Sequence, residues 1–251
     1  MNDTGVIIGG RAHSIEQIHE VGALGYPYAE ISLLDPDLSE PEIEELVKLK
    51  KVYGMSYMVH YPNEGNPVDV KTLKEQFVPK MKRLFDLSAR LDIRKGTIHF
   101  WIDKRWASAG LISRKIDLVK DMVSYAGQRD IVLCIENLTE RYDSFRQAFD
   151  AIDDLRMTLD IGHAQLLASE NTSFKFIEHV FEKIAHVHVH DNHGGTSVKD
   201  DVHLCLGEGI VDYPKILTRL KEKGYASTIT MEVKPSDMTR TRQAMQPYLC
   251  R

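Results

Sequence analysis

Short apolar runs rich in β-branched residues alternate with longer amphipathic stretches along the whole chain. The short runs predict strands at Val6–Gly9, Tyr28–Ser32, Ser56–His60, Gly96–Phe100, Ile131–Glu136, Met157–Asp160, Ala185–His190 and Thr228–Val233. The longer stretches predict helices over Ser14–Leu24, Glu40–Val52, Val70–Leu91, Ser113–Gln128, Ser144–Ile152, Phe174–Ile184 and Tyr213–Lys223. This alternation is the pattern of βα units around a parallel sheet. Local signals agree with it. Ser14 is placed to cap the first helix with Gln17 three residues on. Ser39-Glu40-Pro41-Glu42 combines a cap, an early proline and first-turn acids. Gly54 and Gly224 stand where helices should end. Eight strands predict a single closed (β/α)8 TIM barrel spanning residues 1–251, with no linker or composition shift to divide it. A flavodoxin-like open sheet is the rival, and the chain lacks the Gly-rich phosphate loop that would favour it.

Composition narrows the setting. The chain has 251 residues, the usual size of one such barrel, and 43% of them are apolar. No apolar run is long enough for a membrane span. The polar start Met1-Asn2-Asp3-Thr4 lacks the features of a signal peptide. Cys134, Cys205 and Cys250 form no close pair, which predicts a reducing, cytoplasmic setting without disulfides. A net charge of -5 counts against a nucleic-acid partner. Histidine changes the picture most: of the 11 present, five lie between His186 and His203.

Strand side chains alternate between faces, and the same feature recurs at strand ends. Glu136 shares a face with Val132 and Cys134, Glu232 with Thr228 and Thr230, and Asp160 with Thr158. His186, His188 and His190 share one face, while His60 and His99 lie at the ends of two further predicted strands. Ionisable groups placed there converge on the C-terminal mouth of the barrel, where long loops (Tyr61–Asp69, Trp101–Leu111, Asp191–Gly209) also gather. Burying them unpaired would be costly, and a divalent cation offsets the cost. Mixed carboxylate and imidazole ligands suit Mn, Mg, Co, Fe or Zn. His13, His19 and His179 lie in or beside helices and read as exposed, whereas His186 reads as a hydrogen-bonded core residue one layer below His188.

Ile135-Glu136-Asn137, Leu159-Asp160-Ile161-Gly162-His163, His188-Val189-His190-Asp191 and the Gly207-Glu208-Gly209 turn followed by Asp212-Tyr213 resemble the xylose isomerase-like TIM barrel superfamily. That group contains sugar isomerases and epimerases, inosose dehydratases and the endonuclease IV family of abasic-site nucleases. The resemblance to its ketose epimerases implies one metal held by Glu136, Asp160, His188 and Glu232. It implies that Glu136 and Glu232 are the acid/base pair beside a carbonyl, that the metal stabilises the enediolate, and that His163 contacts substrate oxygen. It further implies a sugar or polyol substrate and a homodimer or homotetramer.

Endonuclease IV implies a different reading, a hydrolase of abasic DNA or a phosphate ester with two or three ions. All nine of its ligand positions carry acceptable residues: His60, His99, Glu136, Asp160, His163, His188, Asp201, His203 and Glu232. The chain departs from that branch at its first strand, where His-Val-Ser-Ala-Ala-Gly-Gly is replaced by Val6-Ile7-Ile8-Gly9-Gly10-Arg11. The isomerase or epimerase is the leading expectation. Under it, Glu30 either binds a substrate hydroxyl or forms a rim salt bridge. Trp101 and Trp106 either wall the site against a sugar face or act as packing anchors.

Overall fold

The computed structural model describes residues 5–249, so Cys250 and the first four residues lie outside it. Eight strands, β1 (Ile7–Ala12), β2 (Tyr28–Ser32), β3 (Ser56–His60), β4 (Lys95–Ile98), β5 (Val132–Glu136), β6 (Arg156–Asp160), β7 (Ile184–Val189) and β8 (Thr228–Met231), form a closed barrel in sequence order. Each pairs in parallel with the next, and β8 returns to β1. The helices wrapping it are α1 (Ile15–Ala23), α2 (Glu40–Tyr53), α3 (Val78–Arg90), α4 (Ala109–Gly127), α5 (Tyr142–Ala151), α6 (Ser173–His179), α7 (Tyr213–Glu222) and α8 (Pro235–Leu249). The (β/α)8 expectation therefore holds. Among the described residues, no helix is long and apolar enough to cross a membrane, and Cys134 and Cys205 are free and buried.

The caps behave as read. Ser14 accepts from the Gln17 backbone N–H, Ser39 and Glu42 form a capping box, and Gly54 closes α2 with φ +62. Other boundaries move for identifiable reasons. The helix expected over Val70–Leu91 is a turn at Val70–Thr72, a π-helical stretch at Leu73–Phe77 and then α3. Pro79 has no N–H to continue the ladder, and the wider π stretch leads into it. Strand β1 runs three residues past its expected end. Its glycines are not terminators: a Cβ at Gly9 would overlap the Tyr28 ring, and one at Gly10 would overlap Met238. Helix α8 was not expected, because its buried stripe of Pro235, Met238, Thr241, Met245 and Leu249 is weakly apolar.

Apolar side chains pack between the barrel and its helices, while the barrel interior is polar. Glu30, Thr97, Thr158, His186, His188 and Thr230 are all fully buried. Thr97 and Thr158 hydroxyls meet at 2.8 Å, and Tyr28 and Thr230 at 3.1 Å. Register sets the height of each group along the axis. Asp160 is level with His188, and His60 with Ser32, whereas Glu30 is level with Arg11 and Met58.

Candidate metal centre

At the C-terminal mouth, Glu136, Asp160, His188 and Glu232 bring ligand atoms within 4.8 Å of one another. Each follows from local structure. Glu136 and Asp160 end β5 and β6, and His188 precedes the last residue of β7. Glu232 lies just past β8, its N–H still bonded to Val189 O at 3.0 Å. The Asn137 amide clamps β5 to β6 through the Asp160 backbone, donating to its carbonyl and accepting its N–H, both at 2.9 Å.

Two more groups adjoin this one: His60 with His99 and Glu136, and His163 with His190, Asp201 and His203. Glu136 is the junction. Its Oε2 faces His60 Nε2 at 3.1 Å and His99 Nε2 at 2.8 Å, while its Oε1 faces His188 Nδ1 at 3.1 Å and His163 Nδ1 at 3.2 Å. Asp201 and His203 arrive on the loop after β7. Asp191 ties that loop down by accepting from Gly207 N at 2.9 Å and Val211 N at 3.0 Å, and by pairing with Leu204. His203 itself takes a left-handed backbone, φ +48, of the kind that clusters at functional sites.

The imidazoles provide the test of whether cations fit. A backbone carbonyl can only accept. His60 donates Nδ1–H to Tyr61 O at 3.0 Å, His163 to Asn137 O at 3.0 Å and His203 to Glu232 O at 2.8 Å. In the neutral ring each Nε2 then carries a bare lone pair, and each is aimed at a carboxylate: Glu136 at 3.1 Å, Asp201 at 3.1 Å and Asp201 at 3.2 Å, respectively. Two acceptors facing each other at that distance repel unless a proton or a cation lies between them. Asp160 Oδ2, Asp201 Oδ1 and both ring nitrogens of His190 are buried without a hydrogen bond, which is costly. The donor set therefore fits divalent cations.

Without metal, protons play that part unevenly. Burial works against the charge on His188, yet Glu232, Glu30 and Glu136 outweigh it and hold the ring well above its ordinary value. His163 rises likewise, against burial, beside Asp160 and Asp201. His203 is pushed up to about 9 against burial by Asp201 and Glu232. Burial would raise Glu136 and Glu232, but the neighbouring imidazoles hold Glu136 well below the carboxylate range and Glu232 at about 2. His60 goes the other way, lowered by burial and by Arg11, so its lone pair remains set against Glu136.

A cavity of about 460 Å³ opens above these groups, lined among others by Arg11, His60, His99, His163, Asp201, His203, Glu232 and Lys234. Glu232 faces it. Glu136, Asp160 and His188 lie behind that lining. A neighbouring cavity of about 220 Å³ shares His163 and Asp201 and is walled by Trp101, Leu138, Leu166 and Leu167.

Two expectations need correction. Glu30 is not at the rim and lines neither cavity. It sits in mid-strand, one inward position below Ser32, and is enclosed beneath His188. Trp106 does not wall the site: it is 57% exposed and stacks on Arg105. Arg11 is the residue the sequence reading missed. Its guanidinium lies 3.3 Å from Glu232 and donates to Glu30 O at 3.0 Å and Ser32 Oγ at 2.9 Å. His186 is buried as expected, and burial pushes it down to about 4. His13, His19 and His179 are exposed, though His13 also borders the larger cavity.

A family model described as Xylose isomerase-like TIM barrel matches residues 18–249. An uncharacterized protein of Methanocaldococcus jannaschii is 26% identical over 227 residues, covering 84% of this chain and 76% of its own length. Among solved structures, a D-tagatose 3-epimerase-like protein superposes with TM-score 0.81 at 23% identity over 97% of each chain. The IOLI protein, solved with a binding zinc atom, superposes with TM-score 0.78 at 14% identity, over 97% of this chain and 98% of its own. At these identities the structural likeness is one of fold.

Proposed function

The chain belongs to the xylose isomerase-like TIM barrel family, and from that premise we propose that it is a multinuclear divalent-metal hydrolase of a small phosphate ester. One observation carries this reading. Three adjoining ligand groups share Glu136 or crowd around it, and their imidazoles aim nitrogen atoms at carboxylates. His60, His99 and Glu136 would hold one ion. Glu136, Asp160, His188 and Glu232 would hold a second, and His163, Asp201 and His203 a third. Bound there, such ions supply Lewis acidity that activates water and neutralises phosphate oxygens.

The remaining work falls to this chain's own side chains. Glu232 faces the cavity as an ionised carboxylate, held so against burial by the neighbouring imidazoles. Arg11, packed against it, keeps that charge in place. Arg11 and Lys234 put cationic groups in the same wall, which suits an anionic substrate. The cavity's size and the chain's net charge of -5 favour a small ester over DNA.

A second reading is the one-metal isomerase or epimerase of a sugar or polyol, acting by proton transfer next to a carbonyl. The sugar epimerase-like structural neighbour and the group of Glu136, Asp160, His188 and Glu232 favour it. Its difficulty is Glu136. Inversion at carbon needs acid/base groups on both faces of the substrate, and of the two glutamates Glu232 alone lines the cavity. The deciding experiment is elemental analysis of protein purified without chelator, paired with phosphate-ester hydrolysis by the native chain and by Glu232→Gln. Two or three ions per chain, with hydrolysis lost in a folded variant, support the hydrolase. One ion per chain, with solvent deuterium entering a ketose, would overturn it in favour of the isomerase.

A further inference from the structure

Below the mouth of the barrel, on its axis, is a set of buried polar groups to which the proposed function assigns no task. The Glu30 carboxylate is enclosed by protein on all sides. It accepts from His188 Nε2, with its oxygens 2.9 Å and 3.1 Å away, and lies 3.0 Å from His186 Nε2. Beneath it, His186 Nδ1 lies 2.7 Å from Thr228 Oγ1 and 3.0 Å from the Thr228 carbonyl. Lys95 Nζ closes the series with contacts to Thr228 Oγ1 at 3.0 Å, Ala185 O at 2.8 Å and Ser227 Oγ at 3.1 Å.

Hydrogen-bond donors and acceptors decide which His188 nitrogen is free. An ammonium has three donors and no acceptor, and Lys95 has three acceptors around it. The Thr228 carbonyl, which can only accept, stands 3.0 Å from His186 Nδ1 and takes the proton of that nitrogen. Glu30, a carboxylate with no proton to give, accepts the Nε2–H of His188. His188 is left with Nδ1 as its ligand atom. That nitrogen lies 3.1 Å from Glu136, 3.4 Å from Glu232 and 3.8 Å from Asp160, the carboxylates of the central group.

We propose that Glu30 is the positioning residue of the metal centre: it fixes the tautomer and ring orientation of His188 so that Nδ1, not Nε2, is presented to the ion. This rests on the reading of His188 as a ligand, and holds for either reaction considered above. A ligating histidine with its other N–H given to a carboxylate is held in orientation and made more basic, and loss of that carboxylate typically costs 10–100-fold in affinity. It also explains why a charge is retained in so enclosed a place. Either carboxylate oxygen can accept the His188 N–H, whereas an amide has only one acceptor atom and can turn its own N–H groups to the ring.

The test uses zinc as the probe, on the full chain with 15N-labelled histidine. In the zinc-loaded native protein the expected result is a His188 ring with its proton on Nε2 and the metal on Nδ1. Zinc affinity, measured by chelator competition under conditions where the metal-free variant remains folded, is expected to fall about 10–100-fold in Glu30→Gln. A proton on Nδ1 with zinc on Nε2, or zinc lodged between Glu30 and His186, would overturn the assignment, and needs no variant to detect. So would a Glu30→Gln affinity within twofold of native. A native chain that binds no zinc, manganese or cobalt would instead overturn the metal reading itself.

Discussion

Lys115 offers a quantitative test of how the site's loops are held. Its ammonium is buried under α4, 2.6 Å from Glu64 Oε2 and 3.1 Å from Pro67 O, and lies over the faces of Phe100 and Trp101. Glu64 Oε1 in turn accepts the Trp101 backbone N–H at 2.7 Å. Glu64 therefore ties the loop after β3 both to α4, through the ion pair, and to the loop after β4, through Trp101. Burial pushes Lys115 down and Glu64 up from their ordinary values despite their mutual attraction, as expected of a dry pair. Lys115→Met keeps the volume of the stem but strands a buried carboxylate, and the cost should be about 3–5 kcal/mol. Adding Glu64→Gln removes the stranded charge and should recover most of that loss, because neutral replacement of a whole buried pair is often close to neutral. Denaturant unfolding of the metal-free protein measures both, read from the midpoint at constant slope. A loss below about 1 kcal/mol for Lys115→Met, the worth of a surface pair, would refute the reasoning. The effect should reach the site, since Glu64 follows Asn63, whose Oδ1 accepts from His99 Nδ1 at 2.8 Å.

Three further outcomes are expected. His99→Ala should lower the number of ions bound per chain by elemental analysis while leaving the group around His188 filled; unchanged stoichiometry would remove His99 from the ligands. Gly162→Ala should cost about 1–3 kcal/mol by overpacking, because its Cβ would overlap the buried His190 ring, and the loss should appear in thermal unfolding. His203 has a folded value raised from 6.5 to about 9. Its contribution to the metal-free protein is therefore fully present below pH 6.5 and lost as pH rises through about 9, a window that pH-dependent unfolding of native and His203→Gln chains would reveal.

Much of this was legible in the chain because barrel physics writes itself locally. Seven of the strands were read within a residue or two, since each is a short apolar run bounded by polar turns, and Glu136 and Asp160 close β5 and β6 as read. The failures have equally local causes. Glycine in a strand reads as its end, so the sequence hid the reach of β1 and with it Arg11, although Gly9 and Gly10 mark close contacts within the fold. Glu30 shares the inward face of β2 with Ser32, but its height along the axis follows from register with β1 and β3, which no single strand encodes. Asp201 and His203 lie on an irregular loop, and they were found only through the family resemblance. The Asp191 contacts that hold that loop in place are long-range. Helix α8 escaped because threonine and proline occupy part of its buried stripe.

Glu136 as the junction of more than one metal site is the central claim. Crystals grown with zinc and measured at its absorption edge test this directly, because anomalous scattering locates each ion without reference to activity. One peak is expected bonded to His188 Nδ1 between Glu136, Asp160 and Glu232, and another joining His60 and His99 to the opposite oxygen of Glu136, with bonds of about 2.0–2.2 Å. Peaks absent from both places, or a single ion with His60 and His99 left hydrogen-bonded to Glu136, would contradict it.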